Sequence, residues 1–124
     1  RYRQVICPHV QILADVHVKH ASPLADSPIG DDAREIIERG LADGVIVSGI
    51  GTGYATDFAD IEMVARAVPH AKIFVGSGIN THNVNEYMRL AHGVIVGSSL
   101  KFNGKLASHV DQKRVAALAK AIGQ

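Results

Sequence analysis

Asp15, His17 and Lys19 fall on alternate positions of LADVHVKH, residues 13–20. Successive side chains of an extended chain point to opposite faces, so these three share one face and Ala14, Val16 and Val18 the other. Three ionisable groups on one strand face are costly to bury unless they pair or serve a site. A neighbouring aspartate keeps a lysine charged, whereas removal from water favours its neutral amine. Lys19 is therefore a candidate to clamp an anion, move a proton or attack a carbonyl, with Asp15 and His17 as catalytic partners. The plainer reading is an edge strand wet on one side. No metal site is expected from Asp15, His17 and His20, because His17 and His20 differ in parity and point to opposite faces.

A second constellation is a matched pair of turns. IFVGSGI (73–79) and VIVGSSL (94–100) share the pattern apolar, any residue, Val, Gly, Ser, small, apolar. Each follows a buried strand. Glycine admits close approach to the backbone, and consecutive small residues can turn their N–H groups inward as an anion-binding nest. Gly76, Ser77, Gly78, Gly97, Ser98 and Ser99 are therefore expected to bind phosphate, with Lys101 as a possible extra charge. Single tight turns would be the bland alternative, but two copies in adjacent units favour a ligand. The loop SGIGTGYATD (48–57) has glycines at 49, 51 and 53, yet Tyr54 stands where a dinucleotide fingerprint requires glycine. Ser48 and Thr52 are left as candidate substrate contacts on that loop.

These residues need elements to hold them. Strands are predicted over 10–18, 43–49, 71–78 and 93–99, and helices over 31–40, 56–68, 81–93 and 110–123. Gly40 and Pro69 serve as stops, with Thr81 and Asp111 as caps. Four consecutive βα units with Val/Ile-rich strands predict an α/β domain, a parallel sheet covered by helices, over residues 1–124. Either it is an open doubly wound sheet or it is half of an eight-unit barrel, strands five to eight with their helices. A half barrel exposes two strand edges, so a homo-oligomer or pairing with an amino-terminal half is expected.

Composition narrows the function classes. The 124 residues carry 13 Lys and Arg against 12 Asp and Glu, a net charge of +1. That balance, with three Tyr, three Phe and no Trp, argues against a nucleic-acid partner. Cys7 is the only cysteine, which suits a reducing, cytoplasmic setting. No apolar run reaches membrane-spanning length. No cofactor is expected. Because the chain opens on Arg1 and runs quickly into a strand, it reads as the middle of a longer protein.

The segments LADVHVKHASPL, GLADGVIVSGIGTGYATD, FVGSGINTHNVNEY and GVIVGSSLKFNGKLASHVDQKRV together resemble the carboxyl-terminal half of the BtpA/SgcQ family. The resemblance runs in order from about Ile12 to Val115. It implies a phosphate-binding (β/α)8 TIM barrel, of which this is the C-terminal half. The family takes its name from a factor needed for photosystem I accumulation, and other members lie among sugar-metabolism genes. The family's reaction is not defined, so the resemblance fixes the fold more than the chemistry. The paired turns with Lys19 and Asp15 lead to the expectation of an enzyme, or a remnant of one, acting on a phosphorylated small molecule, a sugar phosphate or nucleotide. The alternative is a non-catalytic biogenesis factor on the same scaffold. Asp15, His17 and Lys19 match the family's strand motif, and residues 76–78 and 97–99 its phosphate loops.

Overall fold

The computed structural model describes residues 2–18, 26–49, 51 and 54–123. Four strands, β1 (Leu13–Asp15), β2 (Gly44–Val47), β3 (Lys72–Val75) and β4 (Gly93–Val94), form one sheet in the order β1-β2-β3-β4. All three pairings are parallel. Helices α2 (Ile29–Glu38), α3 (Phe58–Ala67), α4 (Val84–Tyr87) and α5 (Gln112–Ile122) follow the strands in turn, and a short α1 (Tyr2–Ile6) precedes them. The alternation expected from the sequence is present, with sequential strands adjacent in space. The α1 turn was not anticipated. Arg3 ties it down by donating to the carbonyls of Val10 and Leu41 and pairing with Asp43 at 3.2 Å.

One face of the sheet is covered and the other is open. Val45, Val47, Ile73 and Val75 alternate along β2 and β3 and are buried in one cluster with Ala33, Ile61 and Val64 from α2 and α3. The intervening residues Ile46 and Phe74 are half-buried. Leu13 and Ile95 on that side are 41% and 45% exposed. In a closed barrel that second face would line the interior.

The outer strands are shorter than their apolar runs predict. Residues 10–18 contribute only Leu13–Asp15 to the sheet, and residues 93–99 only Gly93–Val94. Among the described residues each of these strands has a neighbour on one side only, and none on the other side extends its ladder. Thr81 does not cap α4. Asn80 and Asn83 take its place: the Asn80 side chain accepts from the His82 N–H at 2.8 Å, and the Asn83 side chain accepts from the Asn80 N–H at 2.8 Å. These side-chain bonds compete with helical ones, and the helix is confined to four residues. Asp111 caps α5 as expected, accepting from the Lys113 N–H at 2.9 Å, and Asp57 caps α3 through the Ala59 N–H. At the end of α2 the left-handed residue is Leu41, at φ 57°, rather than Gly40.

Tyr87 joins the last units to the core. Its ring is fully buried and stacks on Phe58 with centroids 4.5 Å apart, while its hydroxyl donates to the Thr56 carbonyl at 2.7 Å. Burial raises the phenol pKa above its ordinary 10.0, and the Glu86 and Asp57 carboxylates push the same way. A raised folded-state value favours the protonated phenol. Its stabilising contribution is therefore complete below about pH 10 and is lost as pH rises through the folded value. Tyr87→Phe should cost about 1–3 kcal/mol at neutral pH, because the Thr56 carbonyl loses a buried donor. Urea unfolding between about pH 8 and pH 11 checks both points, with the wild type losing stability more steeply than the variant above about pH 10.

Candidate functional site at the carboxyl ends of the strands

The carboxyl ends of three neighbouring strands bring Asp15, Ser48 and Gly76 into a row. Asp15 lies opposite Ile46 in the β1–β2 register, and two residues further along Ser48 donates its hydroxyl to the Asp15 carboxylate at 3.3 Å. Gly76 lies beneath that hydroxyl. A Cβ at position 76 would sit 2.4 Å from Ser48 Oγ, so only glycine lets the serine lean across to Asp15. The Gly76 N–H continues the ladder by donating to the Val47 carbonyl at 2.8 Å.

Beyond Gly76 the chain turns, and Ser77 secures the turn from inside. Its buried hydroxyl accepts from the Gly49 N–H at 2.7 Å and donates to the Tyr54 carbonyl at 2.9 Å. The Thr56 hydroxyl donates to the Ser77 carbonyl at 3.3 Å. Ser77 thus fastens the β2–α3 loop to the end of β3, and its side chain is committed to the protein. Gly78 adopts φ +74°, and a Cβ there would lie 2.4 Å from Ala55 Cα, so this position requires glycine twice over.

The second turn is tied to the first. Ser99 donates its hydroxyl to the Ile79 carbonyl at 2.7 Å, and its own carbonyl accepts from Arg114 Nη1 at 3.1 Å. Beside Gly97 the space is open, with nothing within 4 Å of where a Cβ would stand. The backbone N–H groups of residues 77–79 and 97–99, and the Ser98 hydroxyl, find no partner among the described residues. Such a set of unpaired donors on two linked turns can receive an anionic oxygen. Lys101 is occupied elsewhere, its ammonium donating to the Leu106 carbonyl of its own loop.

Asp15 and His17 separate at the end of β1. Residues 16 and 17 bend out of the strand, and His17 turns to Asp32 in the first turn of α2, Nε2 to Oδ2 at 2.8 Å. The even alternation read along 13–20 therefore does not carry His17 onto the Asp15 face. Lys19 and Thr52 lie outside the described residues. Among the described residues no group of three His, Cys, Asp or Glu side chains is arranged to hold a metal ion. Two participants escaped the sequence reading. Asp32 falls at the start of the helix predicted over 31–40 and Arg114 within that predicted over 110–123, and nothing in their local pattern distinguishes them from solvated residues.

The BtpA family model matches residues 1–124, the whole chain. The chain belongs to the BtpA family. It is 41% identical, over all 124 residues, to the photosystem I biogenesis protein BtpA of Synechocystis and spans 43% of that protein. An uncharacterized protein of Pyrococcus furiosus is 37% identical over 95% of this chain and 44% of its own length. A mitochondrial uncharacterized protein of Caenorhabditis elegans is 34% identical over 98% of the chain. The chain thus spans under half the length of these BtpA-family relatives. Phosphoribosyl anthranilate isomerase from Thermus thermophilus superposes with a TM-score of 0.66 over 98% of this chain and 55% of the isomerase, at 13% identity. The Thermococcus kodakaraensis isomerase gives 0.59 at 21% identity. Those likenesses establish the fold: four βα units that make up about half of a TIM barrel.

The Ser77 contacts set a quantitative expectation for this rim. Ser77→Ala leaves the buried Gly49 N–H and the Tyr54 carbonyl without partners and should destabilise by about 1–3 kcal/mol. Hydrogen exchange at Gly49 should accelerate by about tenfold or more, matching that loss. Unchanged exchange at Gly49 would show that the loop is held by something else.

Proposed function

We propose that this member of the BtpA family binds a phosphorylated small molecule, a sugar phosphate or nucleotide, at the carboxyl end of its barrel strands and acts on it as an enzyme. The observation that carries this reading is the pair of linked turns whose N–H groups and Ser98 hydroxyl are unpaired among the described residues. A phosphate ester would satisfy them at once, since each oxygen accepts several hydrogen bonds from a backbone nest. In this reading Gly76 and Gly78 shape the first turn and Gly97 leaves room at the second. Ser77 and Ser99 hold the turns in place, and Ser98 contacts the ligand. Ser48 and Thr52 contact the remainder of the substrate, and Asp15, His17 and Lys19 supply acid–base or amine chemistry.

The open sheet face and both sheet edges support closure by a further set of βα units, either from another part of a longer polypeptide or from a second copy. No helix among the described residues is long and apolar enough to cross a membrane. The single Cys7 supports a reducing setting, which we take to be the cytoplasm. Near-neutral charge leaves nucleic acid out of the reading.

A second reading, a biogenesis factor that uses the barrel surface without chemistry, is favoured by the 41% identity to the photosystem I biogenesis protein. Thermal unfolding of the intact protein with a panel of sugar phosphates and nucleotides separates the two. A ligand at about a hundred times its dissociation constant should add ~2.7 kcal/mol, read as a rise in melting temperature that Ser98→Asp abolishes. The same ligand should slow amide exchange at residues 77, 78 and 97–99. No shift with any compound moves the weight to the biogenesis factor. Lys19→Ala gives an independent check: loss of function with folding and phosphate binding intact favours chemistry, and an unaffected phenotype favours the scaffold.

A further inference from the structure

A cavity of about 480 Å³ opens between the second Gly-Ser turn, the segment that leads into α4, and helix α5. Ser99 and Leu100 line it from the turn, Asn80 and Thr81 from the segment before α4, and Arg114 and Leu118 from α5. Its volume falls within the range of about 300–1,000 Å³ common to small-molecule sites.

Arg114 brings a fixed charge to this cavity, and the helix that carries it does not account for it. Asp111 is the N-cap, so Arg114 takes the third helical position, where Glu or Gln is usual. A cation in the first turn opposes the helix dipole, and α5 has no acidic residue within that turn to offset it. What fixes the side chain is the second turn, where Nη1 donates to the Ser99 carbonyl at 3.1 Å. The Asp111 carboxylate stands 3.8 Å from Nε, too far for a hydrogen bond, and its other oxygen accepts from the Lys113 N–H. The guanidinium is thus oriented by one bond, and its remaining N–H groups donate to nothing among the described residues.

Two further donors on the lining are open. Asn80 Oδ1 accepts from the His82 N–H, and the Asn80 Nδ2 group has no acceptor among the described residues. The Thr81 hydroxyl, which caps no helix, is unpaired among them as well. No Asp or Glu lines the cavity, and Leu100 and Leu118 give it an apolar side. A set of donors around a guanidinium fork suits a group that only accepts, which an ionised carboxylate or phosphate does.

We propose that this cavity binds a small organic anion, a carboxylate or phosphate carried on an apolar body. Arg114 partners the charged head, and Leu100 and Leu118 pack against the body. Such binding does not require a phosphate on the N–H groups of the two turns. Because Arg114 also holds the Ser99 carbonyl, the occupant and the second turn share one side chain.

Benzoate and phenyl phosphate, titrated into the intact protein, test this with one aromatic body and either head group. The side-chain 15N signals of Arg114 and the methyl signals of Leu100 and Leu118 should move and saturate with at least one probe. Saturation by benzoate alone assigns a carboxylate, and by phenyl phosphate alone a phosphate. Arg114→Gln should weaken binding by about tenfold or more, since a charge-assisted hydrogen bond is lost. Ala117→Phe, at an exposed position on the cavity wall, should block binding with the Arg114 contact to Ser99 intact, and serves if Arg114→Gln disturbs the turn. Failure of both probes to bind, or equally tight binding of neutral benzyl alcohol, overturns the anion site. Binding indifferent to both variants overturns its location. Phenyl phosphate binding that survives Ala117→Phe but is lost in Ser98→Asp belongs to the N–H groups of the turns and overturns the cavity assignment. Failure of sugar phosphates to bind, with Arg114-dependent benzoate binding present, overturns only the earlier reading of the turns.

Discussion

A parallel strand can satisfy its backbone polar groups only as far as its neighbour runs, and in this protein the neighbours run out early. β2 and β3 pair over four residues, and β4 contributes two. Past Val75 and Val94 the chain still lies near the core, so each N–H must find another acceptor or face a site. The Gly76 N–H is absorbed by Val47. The next donors are left over. Every feature of the rim follows from how the small side chains there manage this shortage.

Four serines with similar chemistry are put to different uses. Ser48 reaches sideways to Asp15, Ser77 points inward and joins a loop to a strand, and Ser99 bridges the two turns. Ser98 alone of the four has its hydroxyl free among the described residues. Glycine makes the arrangement possible at Gly76 and Gly78, where a methyl group would collide with Ser48 and with Ala55. The rim is thus stiffened by buried hydrogen bonds, and the donors left over are held in place by neighbours already committed to the fold. That is the preorganisation a binding site needs.

The carboxyl end of β1 obeys a different rule. A strand with one neighbour has little to keep it straight, and His17 is drawn away from the Asp15 face by a carboxylate on the next helix. Two ionisable residues expected side by side are instead held by separate partners, Asp15 by Ser48 and His17 by Asp32. These polar groups are therefore distributed over β1, β2 and α2 rather than concentrated on one strand.

Period and punctuation in the sequence determined much of this. Val/Ile runs bounded by Gly, Asp and Pro marked four strands, and stripes of apolar residues marked the helices between them, because burial of one face imposes a repeat that survives without knowledge of the neighbours. The two Gly-Ser turns were legible for the same reason: small residues straight after a buried strand have few other causes. The lengths of β1 and β4 were not legible, since an apolar run does not reveal that a partner is missing on one side. Nor were the roles of Ser77, Ser99, Arg114 and Asp32. Their partners lie 23, 20, 15 and 15 residues away along the chain. A hydrogen bond over such a separation has no local signature, and only the tertiary structure decides which serine braces the fold and which remains open to a ligand.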